Sequence, residues 1–302
     1  MHTEIKAWID GKFVDCMDAR VPLLSHSFSR ASAIFEVMAI TPAKDGPAFF
    51  CLDEHLDRFF YSAQSTYMTL PIDKKRLKEA LMETARLNSI QNGLAKFYAY
   101  FPDIELQTTA SDHISLAIFC LDSTHIGVSP EDAYKPVSVG ISRYRKLHPE
   151  TTAVHAKVVG NYVNGYLAKT EIKRRGFDEV LMLDTNGYVA EGPTSNIFFI
   201  KGSDIHTPTK ENVLPGITRR VVMEVLAEMG YQVKETHILT EDLERYDEAF
   251  FSGTLRPVQP IRNIESTVFK CPGALTAALL SRMQEVHRGT LQQYKKFLTY
   301  VE

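Results

Sequence analysis

The sequence predicts an α+β protein built as two domains of unequal size. Three observations carry that prediction. The 302 residues suffice for one large or two medium domains. Helix-like apolar stripes and strand-like hairpins occur in both halves of the chain. Between the halves, Thr124 to Pro136 loses periodicity and gathers Gly127, Ser129, Pro130, Glu131, Asp132 and Pro136. The expected layout is a smaller domain over 1–123, a linker over 124–136 and a larger domain over 137–302.

The N-terminal part opens on a hairpin. Ala7-Trp8-Ile9 and Lys12-Phe13-Val14 flank Asp10-Gly11, a turn pair suited to a two-residue loop. Ile34 to Met38 reads as a strand, and Leu52 to Tyr67 as a helix with Leu56, Phe59, Phe60 and Ala63 on one side. Asp73 is placed to cap a second helix with an apolar stripe of Leu77, Ala80, Leu81 and Leu87. Phe97 to Phe101 and Ile114 to Cys120 read as buried strands.

The second half begins with a strand over Val137 to Ile141 and a polar loop holding Arg143, Arg145, Lys146 and His148. A helix runs from about Asn161 to Gly176. Glu179 to Leu183 then turns through Asp184-Thr-Asn-Gly187 into Tyr188 to Glu191, a second hairpin. Ile197 to Ile200 is a strand. Leu214-Pro-Gly-Ile-Thr218 opens a helix that Gly230 closes. Glu248 to Ser252 is a strand running into Gly253-Thr254, and Pro272 to His287 is the last long helix.

The formal net charge is −3, which argues against a nucleic-acid surface and offers no basic membrane patch. Lys-Lys-Arg at 74–76 and Lys-Arg-Arg at 173–175 read as solvated helix faces. Cys16, Cys51, Cys120 and Cys271 lie far apart without metal-ligand spacing, as expected of reduced thiols in a cytoplasmic protein. The first residues do not read as a signal peptide, and no apolar run reaches the length of a membrane span.

Four features could carry chemistry. Lys157 stands among Ala156, Val158 and Val159, company that disfavours an ammonium and suits a lysine that attacks carbonyls. The plainer alternative is a packed stem with its head in water. Glu191 ends a strand before the hydroxyl-rich turn Gly192-Pro-Thr194-Ser195, where it could hold a protonated ring nitrogen or stand as an ordinary exposed glutamate. Pro215-Gly216-Ile217-Thr218 sits at a helix start, where backbone N–H groups and the dipole favour an anion such as phosphate. Ser252-Gly253-Thr254 could close on the same anion. Arg58 could fork onto a phosphate; its neighbours Asp53, Glu54 and His55 lack metal-site spacing and read as a polar helix face. An amine, a carboxylate and helix-start donors are the protein-side needs of pyridoxal 5′-phosphate, and no metal is implied.

The sequence resembles the class IV aminotransferases, the fold type IV pyridoxal-phosphate enzymes, and is closest in pattern to the branched-chain amino-acid members. The resemblance rests on Lys157-Val-Val-Gly-Asn-Tyr162, Asp184-Thr-Asn-Gly-Tyr-Val-Ala-Glu-Gly192 with Asn196, Leu214-Pro-Gly-Ile-Thr-Arg219 and Phe251-Ser-Gly-Thr254. It implies a small N-terminal α/β domain, a larger pseudo-barrel C-terminal domain and a homodimer. It implies Lys157 as the Schiff-base lysine, Glu191 on the pyridine nitrogen and Tyr162 on the phenolic oxygen. Arg58, Ile217, Thr218 and Thr254 are implied to hold the phosphate, with Gly216 and Gly253 in its turns. Leu214 packs on the ring and Thr194 lines the cofactor. The implied reaction moves an amino group between an amino acid and a 2-oxo acid such as 2-oxoglutarate.

Three departures fall on the substrate side. Arg30 stands where the family pattern has tyrosine, Lys96-Phe97-Tyr98 replaces Tyr-x-Arg, and Gly253-Thr-Leu-Arg256 replaces Gly-Thr-Ala-Ala. Arg30, Lys96 and Arg256 are candidates to bind a carboxylate or to serve structure, and Phe35 and Tyr98 join them as substrate-side candidates. A D-amino-acid or amine transaminase, a lyase resembling the aminodeoxychorismate enzymes, and a non-catalytic binding protein stay open beside the branched-chain reading.

Overall fold

The computed structural model describes residues 5–127 and 134–301. In chain order its strands are β1 (Lys6–Ile9), β2 (Lys12–Asp15), β3 (Ile34–Ala43), β4 (Gly46–Phe50), β5 (Gly93–Tyr100), β6 (Ser115–Asp122), β7 (Val137–Ile141) and β8 (Glu179–Leu183). They continue as β9 (Val189–Glu191), β10 (Asn196–Lys201), β11 (Asp204–Pro208), β12 (Val233–Thr236), β13 (Glu248–Ser252), β14 (Gln259–Ile264), β15 (Thr267–Val268) and β16 (Leu298–Tyr300). The α-helices are α1 (His26–Arg30), α2 (Leu52–Ser65), α3 (Lys74–Leu87), α4 (Val163–Arg174), α5 (Ile217–Glu228) and α6 (Ala274–Arg288).

The chain folds as two compact units, and their membership is not contiguous. The first holds residues 1–129, 156–160 and 286–302; the second holds 130–155 and 161–285. Sequence reading places everything after 136 in one domain. The structure instead returns the stretch around Lys157 and the chain end to the first unit, through backbone pairing between distant segments that local patterns do not encode. Of the expected linker, Ser129, Pro130, Glu131 and Asp132 lie outside the described residues.

The first unit is a seven-stranded sheet in the order β16-β4-β3-β5-β6-β1-β2. Asp10 and Gly11 adopt positive φ, 47° and 91°, as the tight β1–β2 turn demands. Strand alternation sends Ile34, Met38 and Ile40 of β3 to one face, where they meet Leu56 and Phe59 of α2 and Leu77 and Leu81 of α3 in a dry core. Each such side chain contributes about 1.5–3 kcal/mol by leaving water. Asp73 caps α3 as expected, accepting the Arg76 N–H at 2.7 Å. Leu87 departs from its expected stripe and is exposed, because the helix ends there.

Phe35 and Val37 take the other face. They lie directly opposite Tyr98 and Lys96 of β5, which in turn oppose Ala117 and Phe119 of β6. Residues 156–160 run along the start of β3: Phe35 donates its N–H to the Lys157 carbonyl at 3.0 Å, and Val159 and Gly160 donate to Ala33 and Ala31.

In the second unit the sheet order is β12-β11-β10-β13-β14-β7-β8-β9, with β15 pairing β14. Its core joins Val139, Leu181, Ile197, Phe199, Phe251 and Ile261. Antiparallel pairing of β10 with β13 sets Asn196 opposite Ser252, which brings the start of one strand beside the end of the other. α5 starts at Ile217 after Gly216, whose backbone is extended and supplies no side-chain cap.

Candidate active site

The first unit presents Lys157. Its residue is 9% exposed, and its ammonium lies 4.5 Å from the centre of the Phe35 ring. Its own backbone N–H donates to Ser62 Oγ at 3.0 Å. The lysine is therefore held by its main chain on two sides, with an aromatic face against its head. That is the desolvated placement the apolar neighbours predict.

Behind the strand lies a buried ionic triad. Arg58 donates from Nε to Glu36 Oε1 at 2.7 Å and from Nη2 to Oε2 at 2.9 Å, and His55 Nδ1 meets Oε2 at 2.7 Å. Burial by itself would raise the Glu36 carboxyl. The charge of Arg58 and the hydrogen bonds from His55 and Arg58 outweigh it and bring the group down to about 2. Burial pushes His55 below its ordinary value, with Glu36 opposing and Arg58 and Lys157 adding to the shift. His55 is thus a buried partner of Glu36, which corrects the sequence expectation of a polar surface face; Asp53, paired with Lys78, does lie at that surface. The triad fixes the guanidinium of Arg58 by a two-pronged bond.

On the other face of the sheet, the Lys96 ammonium stands 5.2 Å from the ring centres of both Phe35 and Tyr98. No carboxylate pairs with it among the described residues. Phe35 and Tyr98 are 6.0 Å apart, and Tyr98 meets Phe119 edge-on at 6.3 Å. An apolar cavity of about 210 Å³ opens beside them, lined among others by Ile9, Phe28, Ala33, Tyr98 and Phe119. The other two substrate-side cations are placed differently. Arg30 is exposed and donates to the Leu106 carbonyl at 3.1 Å, and Arg256 lies 3.7 Å from Glu179.

The second unit presents Glu191 at the end of β9. It is 4% exposed, not the surface glutamate that the bare sequence also allowed. Asn196 Nδ2 donates to its Oε2 at 3.0 Å, the Leu214 N–H donates to Oε1 at 3.2 Å, and Lys146 Nζ lies 2.8 Å from the same Oε1. Asn196 also donates to the Leu214 carbonyl at 3.1 Å. A Cβ at Gly216 would fall 2.0 Å from Asn196 Oδ1, so only glycine allows the turn to lie against Asn196. One amide thereby ties the carboxylate to the start of α5.

Ile217 and Thr218 open that helix and are both buried. The hydroxyl of Ser252 is buried and has no hydrogen-bond partner among the described residues, an arrangement that costs free energy unless an acceptor arrives. Gly253 and Arg256 close a turn on each other through two backbone bonds, and Gly253 packs close to the Thr194 carbonyl. Thr194 itself is exposed, and Tyr162 ends a short 3-10 turn before α4. Uncapped helix-start N–H groups and an orphaned hydroxyl fit an anion. A buried carboxylate beside them fits a ring cation. These donors suit a phosphorylated pyridine, and the motifs that pointed to them were legible. The Lys146 contact and the Glu36–His55 pair were not foreseen: only the polar loop around Lys146 and the Phe35-Glu36 dipeptide hinted at them.

Fold and site together define an amine-handling enzyme built for a phosphorylated cofactor. The amino-transferase class IV family model matches residues 33–264, and the chain belongs to that family of pyridoxal-phosphate-dependent transaminases. It is 32% identical to a branched-chain-amino-acid aminotransferase of Pseudomonas aeruginosa over 98% of this chain and 97% of that protein. The Escherichia coli branched-chain-amino-acid aminotransferase is 28% identical, over 85% of this chain and 84% of that one. Among solved structures, the branched-chain aminotransferase of Thermoproteus uzoniensis with norvaline aligns at a TM-score of 0.93 and 29% identity, over 99% of both chains. The branched-chain amino acid aminotransferase of T.th., complexed with N-(5′-phosphopyridoxyl)-L-glutamate, aligns at 0.94 and 29%, over 100% of both. The expected fold type IV architecture is thereby borne out.

Proposed function

We propose that this chain transfers an amino group between an amino acid, branched-chain-like amino acids favoured, and a 2-oxo acid such as 2-oxoglutarate. The observation that carries the reading is the tie from buried Glu191 through Asn196 to the Gly216 turn. It joins a seat for a ring cation to a seat for a phosphate. The likeness to structures solved with norvaline and with a phosphopyridoxyl-glutamate supports the substrate class.

When bound, pyridoxal phosphate supplies an aldehyde that condenses with primary amines and a ring that takes up an electron pair. Lys157 offers the amine that retains the cofactor and, once displaced, moves a proton at the substrate Cα. Glu191 keeps a proton on the ring nitrogen, and Tyr162 meets the phenolic oxygen. Arg58, the N–H groups of Ile217 and Thr218, and Thr254 hold the phosphate. Leu214 packs against the ring, with Gly216, Gly253 and Thr194 around it. Lys96 receives a substrate carboxylate, because its ammonium has aromatic neighbours and no described acid. The cavity beside Tyr98 takes an apolar side chain.

A homodimer is part of the proposal. Leu24, Phe28, Ile104 and Leu106 are exposed on two segments that the Ser25–Ile104 bridge holds together. An apolar patch of that kind suits a second copy. Among the described residues Cys16, Cys51, Cys120 and Cys271 form no disulfide, in keeping with the reducing, cytoplasmic setting that belongs to this proposal. No helix among the described residues is long and apolar enough to cross a membrane.

Borohydride reduction followed by peptide mapping tests the core of this reading. The cofactor mass belongs on the peptide containing Lys157, and Lys157→Ala abolishes both half-reactions. Label on another lysine, or turnover by the alanine variant near the wild-type rate, refutes it. Release of pyruvate without a keto acceptor would make the enzyme a lyase.

A further inference from the structure

We propose that Lys146 is the positioning residue for Glu191: its ammonium holds one carboxylate oxygen so that the other is left to meet the ring nitrogen of the cofactor. The inference rests on the cofactor role proposed for Glu191.

An ionised carboxylate has about four acceptor positions, two on each oxygen. On Glu191, Oε1 is fully engaged, by Lys146 Nζ at 2.8 Å and by the Leu214 N–H at 3.2 Å. Among the described residues Oε2 accepts a single bond, from Asn196 Nδ2 at 3.0 Å. The open position therefore lies on Oε2. Lys146 is suited to the task by burial as well as reach. The side chains of Lys146 and Glu191 are 16% and 5% exposed, so neither swings freely in water. The backbone is pinned too: the Lys146 N–H donates to the Leu183 carbonyl at 2.9 Å, at the end of β8, the strand paired with β9.

The charge matters as much as the geometry. A buried carboxylate stripped of its counter-ion takes up a proton rather than stay charged. Lys146 supplies that counter-ion at 2.8 Å, and it does so from the side away from the open position.

The test is a double-mutant cycle read on cofactor affinity. Enzyme stripped of cofactor is titrated with pyridoxal 5′-phosphate, and Kd is taken from the absorbance band. Partners that orient a metal-ligating side chain are worth about 10–100-fold in affinity, and Lys146→Met is expected to weaken Kd on that scale. Lys146→Arg, which keeps the charge, restores most of the loss. In a Glu191→Gln background, Lys146→Met has no further effect, because its contribution runs through the missing charge. Unchanged Kd in Lys146→Met overturns the proposal, as does an equal loss in the Glu191→Gln background. Should Lys146→Met fail to fold, Lys146→Gln with circular dichroism as a control makes the same comparison. Wild-type enzyme that takes up no cofactor would refute the proposed function instead, so the two failures are told apart.

Discussion

Phe35 and Lys157 are joined twice. The Phe35 N–H donates to the Lys157 carbonyl at 3.0 Å, and the Phe35 ring lies 4.5 Å from the Lys157 ammonium. One residue thus sets both the main chain and the head of the lysine proposed to hold the cofactor. Phe35→Leu keeps the backbone bond and removes the ring. It is expected to cost less than about 1.5 kcal/mol of stability, since a buried apolar swap of near volume is tolerated. The single-turnover rate should fall by about 10–100-fold, the scale set by loss of positioning. Stopped-flow half-reactions and thermal melts measure the two separately.

Glu36→Gln leaves Arg58 facing a neutral amide in a site where Glu36 is fully buried. Removing one partner of such a pair costs about 3–5 kcal/mol. The pH dependence has a defined sign. The folded carboxyl sits at about 2 against an ordinary value of 4.5. Its contribution is present above the unfolded value and is lost as pH falls from about 4.5 toward 2. Denaturant melts in that window should show wild type losing stability more steeply than the glutamine variant.

Gly216→Ala places a methyl 2.0 Å from Asn196 Oδ1. Either the amide or the turn must shift, and both touch the proposed phosphate and ring seats. A loss of about 1–3 kcal/mol in stability is expected from overpacking. Cofactor affinity should drop with it, whereas Gly230→Ala at the far end of the same helix should leave affinity unchanged. Equilibrium titration of the two variants makes the comparison.

Lys96→Met tests the carboxylate contact. A hydrogen bond to a charged group is worth about 1.5–3 kcal/mol, so KM for amino acids should rise by about 10–150-fold. Simple amines should be unaffected. Equal effects on both substrate types would place Lys96 in a structural role.

Much of this site was readable beforehand because its parts are local. Glu191 announces itself as a strand end before Gly-Pro-Thr, and Gly216 as a turn before a helical stripe. Lys157 stands out against three apolar neighbours. What escaped sequence reading depends on distant pairing. Lys146 reaches Glu191 from a loop that precedes α4, β8 and β9 in the chain. β4 begins with Gly46-Pro47 and pairs with β16 from the far end of the chain. The His55 position looks polar beside Asp53 and Glu54, and only the opposing Glu36 on β3 explains why it is buried.

Phe35 and Glu36 are neighbours on β3, one turned to the Lys157 amine and the other to Arg58 and His55. A slip of this strand by a single position would exchange an aromatic platform for a buried acid and strand both sets of cations at once. Its alignment with β5, from Ile34 opposite Ala99 to Ile40 opposite Gly93, is therefore as much a determinant of reactivity as any side chain. Engineering that lengthens or shortens β3 should be judged first by whether that alignment survives.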